Sequence, residues 1–116
     1  MYGNDEATIA GHTFARALTI QTCNLVVGVS FNARRFPGYT ALSFDLGIAD
    51  RTAVNSHAVF TITADGHPLY RKELQQGQIA THVTAPFGRS SVFSLSAQQI
   101  KGVCTDVIVG DPTALR

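Results

Sequence analysis

Carboxylates are the first residues to consider for chemistry, because two acids that face each other across a cleft can cleave a glycosidic bond. The chain has eight acidic residues, most of them in predicted turns or on the solvent faces of predicted strands. The sequence leaves open a pairing of Asp50 with Asp111. A small β-sandwich, which the strand pattern below predicts, offers little cleft between two such groups, so the acids do not predict a glycosidase.

Other groups that catalyse reactions in proteins also lack the required arrangement. The histidines are His12, His57, His67 and His82. No two of them have the spacing of metal ligands. The serines between positions 90 and 96 lie in no Gly-x-Ser-x-Gly elbow, and Cys23 has no local signature of an activated thiolate. We therefore predict that the protein is not an enzyme.

The segment Asn32–Tyr39 combines two guanidinium groups with two aromatic rings. The planar forks of Arg34 and Arg35 can bind carboxylates or pairs of hydroxyl groups, and the ring of Tyr39 can stack on a sugar or a peptide. We predict that these three residues contact a ligand. In the alternative interpretation, the rings of Phe36 and Tyr39 close an edge of the fold and the two arginines are solvated.

A longer polar loop, Asp50–His57, supplies further binding residues. We predict that Asp50 and Arg51 contact the ligand, together with Asp111. Calcium takes six or more oxygen ligands, whereas this loop offers two good side-chain oxygen donors, Asp50 and Asn55. We therefore expect no cofactor, and a calcium ion held by Asp50 and Asn55 is the minor alternative.

The two cysteines, Cys23 and Cys104, belong to no Cys-x-x-Cys or histidine-rich motif, so they do not predict a zinc site. A disulfide between them would close a loop of about 80 residues, which loop-closure entropy credits with roughly 4 kcal/mol of stability. Two separate buried thiols are the alternative, since free cysteine is among the most buried residue types.

Alternation of apolar and polar residues dominates the chain and predicts strands, whose successive side chains point to opposite faces. The clearest runs are Asn24–Phe31, Thr40–Ile48, His57–Ala64 and Val103–Val109. Turn residues separate the runs, and Asp65-Gly66 is the strongest hairpin signal. We count eight or nine strands, and the short helical pieces that we predict are Ser96–Lys101 and part of Asp50–Ser56.

Short strands with no room for crossover helices predict an all-β fold, an antiparallel β-sandwich of two sheets. The predicted core consists of apolar residues that alternate along the runs. They are Phe14, Leu18, Ile20, Leu25, Val27, Phe44, Leu46, Ile48, Phe60, Ile62, Leu69, Leu74, Val83, Phe93, Leu95, Val107 and Val109.

Composition narrows the classes of function. The 116 residues fit a single domain, 1–116, and 45% hydrophobic against 15% charged residues excludes a disordered chain. A net charge of +1 provides no basic field for a nucleic acid, and no apolar run approaches the ~20 residues that span a membrane. The N-terminus does not resemble a secretory signal, and we expect a domain of a larger protein.

Three segments carry a family resemblance. Phe44–Asp50 ends in Gly-hydrophobic-x-Asp, Val59–Tyr70 is a Phe-containing strand that runs into Ala-Asp-Gly-x-x-Leu-Tyr, and Ile9–Phe14 contains Gly-x-x-aromatic. In these segments, and loosely in Asp111 with Leu115, the chain resembles the NPCBM family of carbohydrate-binding modules. The resemblance covers nearly the whole chain, and the central hairpin is its most specific part.

The resemblance implies a galactose-binding-like jelly roll that binds sugars at loops on one end, lies outside the cytoplasm and in some members carries a structural calcium. Where sugar-binding members have an acidic-His-Ala-Asp-Trp-Ala-Asp run, this chain reads Thr105–Asp111, with Val109 in place of the tryptophan. We predict an extracellular or cell-surface module that binds carbohydrate or cell-wall glycan. The alternative is a protein-interaction or extracytoplasmic sensor module that has lost sugar binding.

Overall fold

Strands make up nearly all of the part of the chain that the structure describes. The computed structural model describes residues 2–23, 25–32, 38–87, 91–101 and 104–116, and only the backbone of residues 2–5 and 101. The strands are β1 (Tyr2–Ile9), β2 (His12–Thr22), β3 (Val26–Asn32), β4 (Ala41–Ile48), β5 (His57–Ala64), β6 (His67–Gln75), β7 (Thr81–Pro86), β8 (Val92–Lys101) and β9 (Thr105–Leu115). These ranges contain no helix, and therefore none that could cross a membrane.

The strands form two antiparallel sheets that face each other. The first sheet has the order β1-β2-β9-β4-β7, and the second has the order β3-β8-β5-β6. This architecture confirms the predicted all-β sandwich. The helical prediction for Ser96–Lys101 is wrong, because Ala97 and Gln99 are buried while Gln98 and Ile100 are exposed, which is the two-residue period of a strand. The predicted helical piece within Asp50–Ser56 is also wrong, since this segment consists of turns.

The main core lies between the sheets and is built from side chains that alternate inward. Three phenylalanines at its centre, Phe44, Phe60 and Phe93, are almost completely buried. Two residues assigned to the core by sequence are exposed instead: Leu25 at 70% and Leu69 at 43%. Leu25 precedes β3, and Leu69 sits at a shift in the β5–β6 register that turns it away from the interior.

A second, smaller hydrophobic cluster lies on the outer face of the first sheet, beneath the β1–β2 hairpin. We call it the hairpin cluster, and its buried members are Ala7, Ile9, Phe14, Ala17, Ala49 and Ile108. Ile9 packs over Gly47, and Phe14 packs over Gly110. A Cβ atom at Gly47 would lie 2.7 Å from Ile9, and one at Gly110 would lie 2.8 Å from the Phe14 ring. Two glycines thus leave room for the part of the hairpin nearest its turn, which lies beyond the β2–β9 pairing, to pack against β9 and β4.

A turn at Asp65-Gly66 joins β5 to β6, as predicted. Both residues have positive φ, 49° and 83°, which a type I′ hairpin turn requires. The Asp65 carboxylate also accepts hydrogen bonds from the backbone N–H groups of Ser91 and Val92, at 3.0 and 2.7 Å. The turn is therefore tied to the start of β8.

The two cysteines form a disulfide, which confirms one of the two alternatives left open by the sequence. Cys23 follows β2 and Cys104 precedes β9, with 4.3 Å between their Cα atoms. Because β2 and β9 are neighbours in the first sheet, the disulfide joins the end of β2 to the beginning of β9.

Candidate functional site

The binding residues predicted from the sequence do not form one cluster. Tyr39 precedes β4, whereas Asp50 and Arg51 follow it, and this eight-residue strand is about 26 Å long. Asp111 lies part-way along β9, where its carboxylate accepts a hydrogen bond of 3.4 Å from the backbone N–H of Arg16. The described members of the predicted set therefore lie apart, with Tyr39 at one end of β4 and Asp50 and Arg51 at the other.

Arg34 and Arg35, together with Phe36, lie outside the described residues. Of the three ligand-contacting residues predicted in Asn32–Tyr39, the described residues include Tyr39. Its ring is half-buried against the main core, and the Arg116 guanidinium lies 5.0 Å from the ring centroid.

Asp50 fastens the tip of the β1–β2 hairpin to the loop after β4. Its two carboxylate oxygens accept hydrogen bonds from the backbone N–H groups of Ala10 and Gly11, at 2.6 and 2.8 Å. Its own backbone N–H donates to the Thr8 carbonyl at 2.8 Å. The carboxylate is thus engaged in holding the hairpin. Asn55 lies exposed in the same loop, and the described residues contain no cluster of three or more His, Cys, Asp or Glu side chains that could hold a metal ion.

Arg51 forms an ion pair with Asp106, a carboxylate that is not among the predicted binding residues. Its Nε lies 2.8 Å from Asp106 Oδ2, and the Asp106 side chain is 13% exposed whereas that of Arg51 is 66% exposed. The backbone of Asp106 is fixed as well, since its N–H donates to Thr52 Oγ1 at 3.2 Å and its carbonyl accepts from Ala49 N–H at 2.9 Å. This contact uses one of the five N–H groups of the guanidinium and leaves its outer edge for a ligand.

An open cavity of about 160 Å³ lies beside this ion pair, and we call it the Arg51 cavity. Its lining consists of Glu6, Ala7, Thr8, Ala49 and Arg51. A guanidinium, a carboxylate and a hydroxyl group therefore surround a small apolar floor. Such a combination of donors and acceptors suits a ligand with several neighbouring hydroxyl groups.

The opposite end of the sandwich has a larger cavity, of about 320 Å³, with a different character; we call it the apolar cavity. Its lining consists of Leu18, Phe31, Leu42, Phe87, Leu95, Val109, Pro112 and Ala114. None of these side chains carries a polar group that could orient a sugar. Val109, which takes the family tryptophan's position in the resemblance, is 1% exposed and belongs to the main core.

Burial raises the pKa of the Tyr70 phenol above its ordinary value of 10.0, because desolvation disfavours the phenolate. Tyr70 lies on β6 and packs against the main core. The raised pKa therefore reflects packing against the main core. Tyr70 does not line the Arg51 cavity.

A hydrogen-bonded trio of Ser43, Asp45 and His82 lies on β4 and β7. His82 Nε2 is 3.0 Å from Ser43 Oγ, and His82 Nδ1 is 3.0 Å from Asp45 Oδ1. The connectivity is that of nucleophile, base and orienting acid in acyl transfer. However, the imidazole is 64% exposed, and β4 is paired on both sides, with β7 and with β9. Most of its backbone N–H groups are thus committed to the sheet, with a register shift against β9 between Ser43 and Asp45, and the trio lies on strands without the loop or helix N-terminus that supplies paired oxyanion donors.

We expect the trio to lack esterase activity. The wild type and Ser43→Ala should hydrolyse p-nitrophenyl acetate at rates within about twofold, because the oxyanion donors that supply most of the rate are missing. His82→Ala should lower the slow imidazole background no more than His67→Ala, which removes another exposed histidine. A tenfold or larger loss on Ser43→Ala, with a burst of product in the wild type, would contradict this prediction.

Glu6, Thr8 and Asp106 are not among the site residues predicted from the sequence. Asp106 lies inside an alternating run whose pattern predicts a solvent-facing residue, but Ala49, Arg51 and Thr52 at the end of β4 and in the loop after it contact it. The sequence offers one signal for this site, which is the presence of polar residues near both the first turn and the start of the last strand. Their convergence depends on the hairpin folding over the first sheet, which no local pattern indicates.

Solved structures share the fold of this chain, whereas the sequence comparisons find no match. No protein-family profile matches the sequence, and no curated protein does. The CBM51 domain of Clostridium perfringens GH95, solved in complex with methyl-galactose, has a TM-score of 0.77 and 12% identity. The match covers 97% of this chain and 80% of that one. The all-β sandwich is thus the fold of CBM51 carbohydrate-binding modules.

Two structures of Clostridium perfringens ZmpB show the same fold within larger chains. One contains a catalytic domain with two CBM51 domains; it has a TM-score of 0.79 and 13% identity, and the match covers 98% of this chain and 13% of that one. The other contains INT domains and the second CBM51 domain, which is in complex with GlcNAc. It has a TM-score of 0.75 and 12% identity, and the match covers 97% of this chain and 25% of that one. The chain thus spans a quarter or less of either ZmpB chain.

Proposed function

We propose that the protein is a noncatalytic carbohydrate-binding module that recognises a sugar in the Arg51 cavity. The observation that carries the proposal is the Arg51 guanidinium, which Asp106 holds at Nε beside Glu6 and Thr8. Structures with the same fold in complex with methyl-galactose and with GlcNAc support sugar as the ligand class.

The shape and chemistry of the Arg51 cavity favour one sugar unit over a long chain. Its volume of about 160 Å³ is below the 300 Å³ or so at which drug-sized ligand sites begin. The guanidinium edge can donate to two adjacent hydroxyl oxygens, and the Glu6 carboxylate can accept from two hydroxyl groups. No aromatic ring belongs to the described lining, so we expect weak binding that depends on hydrogen bonds.

An extracellular or cell-surface location fits this function. The Cys23–Cys104 disulfide supports an oxidising compartment, since cytosolic thiols are kept reduced. We further propose that the domain, residues 1–116, serves as one module of a larger protein, in the way that CBM51 domains accompany other domains in ZmpB. The binding chemistry in this proposal requires no cofactor.

Titration with methyl-galactose and with GlcNAc, followed by amide chemical shifts, tests the site. We expect shifts near the Arg51 cavity in the wild type, and at least about a tenfold weaker Kd, or 1.4 kcal/mol, in Arg51→Ala and in Glu6→Gln. Arg51→Lys should also bind weakly, because an ammonium keeps the charge but loses the planar fork.

Matched controls come from the second sheet. Arg71→Ala and Glu73→Gln remove an exposed arginine and an exposed acid of β6 and should leave binding unchanged. Tyr39→Ala, before β4 at the opposite end of the sandwich, should also leave sugar binding unchanged. Loss of binding in Tyr39→Ala with normal binding in Arg51→Ala would place the sugar at the other end. No shifts with either sugar, or with a panel of cell-wall glycans, would contradict the proposal and favour a protein ligand.

A further inference from the structure

The free edge of β3 differs from the other sheet edges. The strand reads Val26-Val-Gly-Val-Ser-Phe-Asn32, with no charged residue and no proline, and it pairs with β8 without a register shift. Its side chains alternate between exposed and half-buried, so none of the seven is buried. Val26 is 65% exposed, and the preceding Leu25 is 70% exposed. Among the described strands, β3 pairs with β8 alone, so the segment Val26–Ser30 presents an apolar sheet edge on its other side.

The other three sheet edges carry features that discourage strand pairing. β1 contains Asp5 and Glu6 and a register shift. β6 contains Pro68 and Lys72, and β7 ends in Pro86. Charges, prolines and bulges on edge strands are the usual means by which proteins prevent edge-to-edge association. β3 lacks all three, which marks it as an edge that accepts a partner strand.

We propose that β3 joins two copies of the chain, edge to edge and antiparallel, so that their second sheets form one eight-stranded sheet. A two-fold axis at Val29 is the register that pairs all seven residues. It places Val27 opposite Phe31 of the second copy and Val29 opposite its own counterpart. These inward-facing residues are half-buried at the edge of the main core, so the second copy would extend the core of each. Aromatic and β-branched residues are favourable cross-strand neighbours.

On the outer face of the same register, the described residues nearest the axis are small and uncharged. Gly28 lies opposite Ser30 of the second copy, and both side chains are small. A partner for an uncharged apolar strand should itself be uncharged and apolar; of the four edge strands, β1 and β6 carry charges and β7 ends in proline, which leaves β3 itself. The paired length, seven residues or about 24 Å, is short. An interface of this size belongs to the weak, concentration-dependent class.

Sedimentation velocity over a wide concentration series tests the pairing. The wild type should approach twice the 12.4 kDa mass of one chain as its concentration rises. Ser30→Lys should remain monomeric throughout, because the two ammonium groups would then lie on the same face as diagonal neighbours across the axis, about 7–8 Å apart at their Cα atoms, and repel each other. Ser30→Ala should still dimerise; this control matters because the Ser30 hydroxyl is hydrogen-bonded to that of Ser94 at 2.7 Å. Leu69→Lys, which charges the opposite edge of the same sheet, should also dimerise.

Hydrogen exchange of the β3 amides gives a second, independent readout. Their protection should rise with concentration in the wild type and in Ser30→Ala, and not in Ser30→Lys. A wild type that is monomeric at the highest concentration would overturn the proposal, and so would a dimer that Ser30→Lys leaves intact. Concentration-independent protection of β3, gained only when another protein is added, would assign the edge to a different partner strand.

Discussion

Replacement of both Cys23 and Cys104 by serine is expected to lower the free energy of unfolding by about 4.5 kcal/mol. The two cysteines are 81 positions apart, and cross-linking a loop of this length removes that much conformational entropy from the unfolded chain, at 298 K. A loss of this size is a large share of the 5–15 kcal/mol or so that stabilises an average domain. Urea denaturation of the oxidised wild type and of the double serine variant measures it directly.

Reduction of the wild type provides the control, because it breaks the same bond without changing the side-chain volume. Reduced wild type and the double serine variant should unfold at similar urea concentrations. A difference below about 1 kcal/mol between oxidised and reduced protein would contradict the prediction, since it would mean that loop closure contributes little here.

The disulfide also connects stability to the candidate site. Cys104 lies two positions before Asp106, the carboxylate that holds Arg51 at 2.8 Å. Reduction should therefore weaken sugar binding in the folded protein.

The sheet architecture could be predicted because it depends on local patterns. A two-residue period in Thr40–Ile48 and His57–Ala64 defines which side chains face inward, and Asp65-Gly66 supplies the positive φ of the turn between two strands. The errors arose where a register shift or a neighbouring strand decides the outcome. Leu69 is exposed because β6 slips against β5 there, and Ser96–Lys101 is a strand because β3 and β5 flank it on both sides.

The Arg51 cavity could be predicted only in part, because it is assembled from distant segments. Arg51 lies in a polar loop that attracts attention in the sequence, but its partner Asp106 is 55 positions away. Glu6 and Thr8 reach the cavity because the β1–β2 hairpin folds across the first sheet. Asp50, which resembles a ligand-binding acid in the sequence, instead binds the backbone of the hairpin tip.

The docking of this hairpin can be measured through the contact between Phe14 and Gly110. Phe14→Ala should lower the free energy of unfolding by about 3 kcal/mol, because it opens a cavity in the hairpin cluster. Gly110→Ala should cost about 1–3 kcal/mol, because its new Cβ would lie 2.8 Å from the Phe14 ring.

Combining the two substitutions should cost about as much as Phe14→Ala alone, since the added methyl group would occupy the space that the ring vacates. Urea denaturation of the four proteins would then give a coupling free energy of about 1–3 kcal/mol. Gly110→Ala with Phe60→Ala, whose ring lies in the main core, is the control and should show simple additivity. Additive costs for Phe14 and Gly110 would mean that the hairpin does not rest on β9, and the Arg51 cavity would then lose the wall that Glu6 and Thr8 provide.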